Sequence, residues 1–218
     1  MNGANRRIVL ALVAASLAAV LASQASAGLI TLNTKDLTDI LGASPQTAGD
    51  LLTTVMDSAN LKATAYSRAY TDGNGRYAYL YQVDNTGVSG NAPVELFTVW
   101  PFWGADDGVD MGWLTGTIPS EFATGGQTPV SDGYVEPLSS GPILSFYYDL
   151  REGHAIAVEN NSVVMYVVSN LEPNLVTGSI IDGSVGTGPV IGPVPEPAAL
   201  VVLALGGLGL LIRRRRST

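Results

Sequence analysis

Hydrophobic and polar positions alternate most clearly between Lys62 and Val83. Lys62 to Tyr70 (KATAYSRAY) and Arg76 to Val83 (RYAYLYQV) flank Thr71-Asp72-Gly73-Asn74-Gly75, whose Gly and Asn residues tolerate positive φ. The pattern predicts a β-hairpin. In its second strand Tyr77, Tyr79, Tyr81 and Val83 share one face, while Ala78 and Leu80 share the other. Apolar character on both faces predicts a central strand that is covered twice. Asp84-Asn85-Thr86-Gly87 supplies the turn that ends it.

Further strands are expected over Val94 to Trp100, Ile143 to Leu150 and Ser162 to Ser169, with a short last one over Ser179 to Asp182. The segment from Thr47 leaves two alternatives open. Thr47-Ala48-Gly49-Asp50 is able to cap a short helix carrying Leu51, Leu52, Val55 and Met56, and a strand or loop fits equally. From Gly183 to Pro193 the chain is Gly, Pro, Val and Ser with little else, and a linker is expected there. Turn residues between every pair of strands predict a mainly β fold, an antiparallel β-sandwich spanning 28–182.

The two ends break this pattern. Arg6 and Arg7 precede an apolar run from Ile8 to Leu21, followed by the small-residue triplet Ala25-Ser26-Ala27. That order is the order of a secretory signal peptide over 1–27, with Ala25 and Ala27 flanking the cleavage preference and Gly28 as the mature start. At the other end Val194-Pro195-Glu196-Pro197 leads into fifteen apolar residues, Ala198 to Ile212, and then Arg213, Arg214, Arg215 and Arg216. As a helix the apolar run is about 22 Å long, short of a ~30 Å hydrocarbon core, but arginine snorkelling and local thinning make a span feasible. The arginines belong on the cytoplasmic side, in agreement with export of the middle.

This carboxy-terminal order resembles the PEP-CTERM sorting signal of Gram-negative bacteria. The resemblance covers 194–218 and implies recognition by an exosortase, an integral membrane protease. Pro195, Glu196 and Pro197 take the place of its motif, and Arg213 to Arg216 its stop-transfer cluster. The Tyr-rich run Tyr77 to Asn85 and Ile181-Asp182-Gly183 are similar, more loosely, to segments found in such proteins. The resemblance also implies an association with exopolysaccharide and biofilm, at the cell surface or outside the cell. It implies no activity for the exported domain.

Charge sharpens the picture. Between Gly28 and Pro193 five basic residues, Lys35, Lys62, Arg68, Arg76 and Arg151, stand against eighteen Asp and Glu, a balance of −13. Such a surface repels phosphate backbones, so nucleic acid is not an expected partner. No cysteine is present, which excludes disulfides and thiolate metal sites.

Candidate chemistry is sparse. His154 is the only histidine and follows a predicted strand in a turn, and no Gly-x-Ser-x-Gly elbow accompanies it. Asp106, Asp107 and Asp110 lack the spacing of a calcium loop, and a solvated turn is expected for them. Nothing among the carboxylates singles out a hydrolytic pair. No enzyme, metal or other cofactor is expected. Trp100, Trp103 and Trp113 fall within fourteen residues, either as core anchors or as a stacking platform for sugar rings. Trp100, on a predicted strand, is expected to be buried, whereas Trp103 and Trp113 are the candidate ligand-binding residues. The expected function is a non-catalytic surface or extracellular-matrix protein, and the alternative is a carbohydrate-binding module.

Overall fold

Tyr77 to Val83 do what their alternation demands. In the computed structural model, which describes residues 28–58, 60–85, 92–105, 108–124, 127–149 and 153–195, Tyr79, Tyr81 and Val83 point into one apolar cluster and Ala78 and Leu80 into another. The strand is covered on both faces, as expected. The signal peptide expected over 1–27, and the span and arginine tail expected after the motif, lie outside the described residues.

The elements in chain order are β1 (Gly28–Ile30), β2 (Asn33–Lys35), α1 (Leu37–Leu41), β3 (Gln46–Thr47), β4 (Leu52–Asp57), β5 (Lys62–Thr71) and β6 (Tyr77–Asp84). They continue with β7 (Leu96–Trp100), β8 (Met111–Leu114), β9 (Gln127–Thr128), β10 (Asp132–Glu136) and β11 (Ile143–Tyr147). The last are β12 (Asn161–Ser162), β13 (Met165–Ser169), β14 (Pro173–Ile181) and β15 (Val185–Pro193). The fold is mainly β, with antiparallel pairing dominant.

Six strands form one sheet in the order β1-β10-β11-β7-β14-β15, and every neighbouring pair is antiparallel. The second sheet has nine strands, with β2-β8-β13-β6-β12-β9 as its path and β5, β4 and β3 added beside β6. Two of its pairs are parallel, β2 with β8 and β12 with β9.

The larger apolar cluster lies between the sheets. Phe97 and Val99 from β7, Leu144 and Phe146 from β11, and Ile180 from β14 meet Tyr79 and Tyr81 of β6 and Met165 and Val167 of β13. Ring centroids of Tyr81 and Phe97 are 5.6 Å apart, and those of Tyr79 and Phe102 are 5.6 Å apart edge to face. The buried hydroxyls find acceptors: Tyr79 donates to the Leu171 carbonyl at 2.6 Å and Tyr81 to the Ile191 carbonyl at 2.7 Å.

The other face of the nine-stranded sheet is closed by a cover. Leu37, Ile40 and Leu41 of α1 and Phe122 of the loop between β8 and β9 pack on Leu80, Tyr70, Val164 and Tyr166. Gln82 fastens the cover with a reciprocal pair of bonds, Nε2 to the Ala123 carbonyl and the Ala123 N–H to Oε1, both 2.9 Å. α1 was not foreseen: its five residues are too few for a periodic signal.

Two expectations need correction, and one open alternative is settled. The region 183–193 is no linker, because β15 fills it and pairs with β14 along nine positions from Ile181↔Val185 to Pro173↔Pro193. Its glycines serve close packing: a Cβ at Gly188 would lie 2.3 Å from Thr54 Cγ2, and one at Gly192 2.5 Å from Val176 Cγ2. Around Met56 the strand forms and the helix does not, since burial alternates, with Met56 fully buried and Val55 56% exposed. Trp100 is 37% exposed, because Phe97 and Val99 take the inward positions of β7 and alternation turns Trp100 outward.

Candidate functional site: a sorting tag and an open sheet face

β15 delivers the chain to the sorting motif without slack. Three hydrogen bonds tie it to the opposite sheet: Thr54 Oγ1 to the Pro189 carbonyl at 2.6 Å, the Ile191 N–H to Ser67 Oγ at 3.0 Å, and the Tyr81 bond above. The Val194 N–H still donates to the Glu172 carbonyl at 3.2 Å. Pro195 follows, exposed, as the last described residue. Glu196, Pro197 and Arg213 to Arg216 lie outside the described residues, as do Ala25 and Ala27.

The candidate tryptophans go to different elements. Trp113 sits on β8 opposite Met165 of β13 and packs partly against the intersheet core. Trp103 is half-buried in the loop after β7, where its ring lies against Gly141. Trp100 Nε1 donates to the Gly141 carbonyl at 3.1 Å.

The other candidates mostly tie elements together. Asp110 is no solvated turn residue: it accepts from Lys35 Nζ at 2.8 and 2.9 Å and from the Tyr166 hydroxyl at 3.1 Å, with Arg76 3.7 Å away. Asp106 and Asp107 lie outside the described residues. His154 Nδ1 is 3.2 Å from Ser131 Oγ, which accepts the Asp149 N–H at 2.9 Å. Among the described residues no group of acids and histidine is arranged to hold a metal ion.

Sequence reasoning missed a second cluster, Arg68, Tyr70 and Glu121. Arg68 Nη1 and the Tyr70 hydroxyl both donate to Glu121 Oε1, the former at 2.9 Å. Burial alone would push the Glu121 carboxyl up, but the Tyr70 bond, a backbone bond and Arg68 outweigh it, holding it below the ordinary glutamate value. Burial and the negative Glu121 together push the Tyr70 hydroxyl well up.

A cleft was missed as well. On the outer face of the six-stranded sheet, pairing aligns Asp132, Tyr147, Leu96, Ile181 and Val185 across five strands. Tyr134, two residues along β10 and on the same face as Asp132, brings its ring centroid to 5.0 Å from that of Tyr147 at an interplanar angle of 75°. All of these but Val185, with Glu95, Tyr148 and Asp149, line a cleft of about 600 Å³. Tyr147 is 41% exposed there. Partial burial, then the negative charges of Asp182 and Asp149, raise the Glu95 carboxyl above its ordinary value. No local motif announces this cleft, because its residues are assembled by register from separate strands.

No curated protein and no solved structure matches the chain. One family does, the PEP-CTERM protein-sorting motif, over residues 193–216. The matched stretch begins at the last residue of β15 and runs into the arginine cluster. The chain therefore carries a PEP-CTERM sorting tag and is an exported protein addressed to an exosortase.

Proposed function

We propose that this protein is a non-catalytic component of the cell surface or extracellular matrix, exported by a signal peptide cut after Ala27 and released from its membrane tag by an exosortase, in association with exopolysaccharide. The observation that carries the reading is the tag at 193–216. The arrangement of the described residues supports it: two sheets enclose one apolar cluster, and Asp110, Glu121 and Gln82 serve to tie its parts together. An acidic exported surface keeps such a protein soluble and away from nucleic acids.

The experiment is fractionation of host cells carrying the wild-type chain or Glu196→Ala. The wild type is expected in the outer-surface, matrix or medium fraction, shortened at its carboxy terminus and beginning at Gly28. Glu196→Ala is expected to stay in the inner membrane at full carboxy-terminal length. Identical processing and location of the two would overturn the reading.

A second reading, a glycan-binding module, is favoured by the outer face of the six-stranded sheet, which leaves Tyr147 and Trp100 exposed. Aromatic faces of this kind stack on sugar rings. On this reading the platform is built on Tyr134 and Tyr147, with Trp103 and Trp113 contributing to packing.

A further inference from the structure

We infer that the Tyr134–Tyr147 cleft binds a protonated amino sugar, with the rings of the two tyrosines holding the sugar and Glu95 and Asp132 facing its ammonium group. The inference deepens the glycan-binding reading by naming the sugar class and the residues that select it.

Three observations point the same way. The first is shape. Two aromatic rings at 75° and 5.0 Å make a corner, and Leu96 and Ile181 add apolar surface beside it. A corner of this form contacts a pyranose on its C–H face and leaves the ring substituents free to reach polar groups. The second is size. About 600 Å³ lies within the range of small-molecule sites and is far larger than one amine or one metal ion needs. A hard cation such as Ca²⁺ would also want ~6–8 oxygen ligands in a tight shell. The acids here are not arranged for that, since no metal-holding group occurs among the described residues.

The third is charge. Glu95, Asp132 and Asp149 all line the cleft, and Asp182 is close enough to act on Glu95. Anionic sugars such as uronates are repelled. A neutral sugar would occupy the site and leave the mutual repulsion of these carboxylates unchanged. An ammonium group relieves it and gains the attraction of the tyrosine faces as well. Burial first, and then the negative charges of Asp182 and Asp149, raise the Glu95 carboxyl, in keeping with a cleft that has no cation of its own among the residues lining it.

The test is calorimetric titration of the full chain in neutral detergent at low salt with four probes: the glucosamine trimer, the N-acetylglucosamine trimer, a neutral glucose trimer and 1,5-diaminopentane. The glucosamine trimer is expected to bind, and its affinity to fall with added salt. The acetylated and neutral trimers and the diamine are expected to bind about tenfold more weakly or not at all, the loss of one cation–π or charged contact. Tyr147→Ala and Asp132→Asn alter exposed side chains, so both variants should fold, which circular dichroism checks. Each should lower glucosamine-trimer affinity about tenfold.

Equal binding of acetylated and free trimers would overturn selection by charge while leaving a glycan-binding face in place. Equal binding of the diamine would overturn the role of the sugar ring. Binding that survives both substitutions would overturn the location. Absence of binding by any trimer would overturn the proposal and the glycan-binding reading together, but not the tag-directed surface location, which the Glu196→Ala fractionation tests by itself.

Discussion

Lys35 Nζ lies 2.8 Å from Asp110 Oδ2, joining the end of β2 to a residue seventy-five positions later, just before β8. The carboxylate also takes the Tyr166 hydroxyl, so one side chain holds the short parallel β2 strand, β8 and β13 together. Asp110→Ala leaves the Lys35 ammonium and the Tyr166 hydroxyl without this acceptor. Because Asp110 and Lys35 keep 25% and 34% of their side chains in solvent, the expected cost is modest, about 1–2 kcal/mol. Urea melts of wild type and Asp110→Ala measure it, and Asp110→Asn should recover part of the loss through the Tyr166 bond.

Glu121 gives a pH prediction of definite sign. Its carboxyl sits below the ordinary glutamate value, against the upward push of burial, because Tyr70, a backbone donor and Arg68 favour the charged form. A depressed carboxyl contributes stability that is fully present above its unfolded value and lost as pH falls through its folded value. Melting temperature should therefore decline on acidification through and below the ordinary glutamate range. In Glu121→Gln the decline should be shallower and the stability at neutral pH lower by about 1–2 kcal/mol, since the cluster is partly exposed. Glu95 opposes the trend: its raised carboxyl favours folding in acid, and that contribution is lost as pH rises through its folded value.

Neighbouring aromatics in and after β7 should respond to truncation very differently. Phe102 is fully buried against Tyr79, so Phe102→Ala is expected to cost about 3–5 kcal/mol. Trp100, 37% exposed and tied by one bond to Gly141, should cost about 1 kcal/mol on conversion to Ala. Thermal melts of the two variants side by side check the contrast.

Shortening the chain separates a strand from a linker. A protein ending at Val194 keeps β15 whole and should unfold cooperatively at the wild-type midpoint in urea. One ending at Ser184 loses buried Val190 and the three hydrogen bonds to the facing sheet, and should fail to fold or fall in stability by more than about 3 kcal/mol. Limited proteolysis gives a second readout, with the longer form resistant.

Much of the nine-stranded sheet was legible because its code is local. Tyr79, Tyr81 and Val83 against Ala78 and Leu80 announce a strand with two buried faces, and Gly73 and Gly75, both at positive φ, announce the hairpin before it. β15 was illegible for a physical reason. Gly186, Gly188 and Gly192 are needed where the strand crosses closely over β4 and Val176, and a sequence of Gly and Pro looks the same whether the glycines give freedom or proximity. Trp100 shows a different limit: membership of a strand says nothing of facing until the alternation with Phe97 and Val99 is applied. The cleft was beyond reach, because Glu95, Asp132 and Tyr147 become neighbours only through the pairing of β10, β11 and β7.

The β14–β15 hairpin also gives the domain a foot and a head. The chain leaves toward its tag at the Pro173–Pro193 end, whereas Ile181, at the hairpin's other end, borders the tyrosine cleft. Pro173 and Ile181 are eight residue steps apart on β14, and at ~3.4 Å per step that is about 27 Å along the sheet. Only two residues, Val194 and Pro195, lie between the last paired position and Glu196. The tag and the cleft therefore sit at opposite ends of one hairpin, so an enzyme that engages the tag works about 27 Å along the sheet from the cleft's border at Ile181.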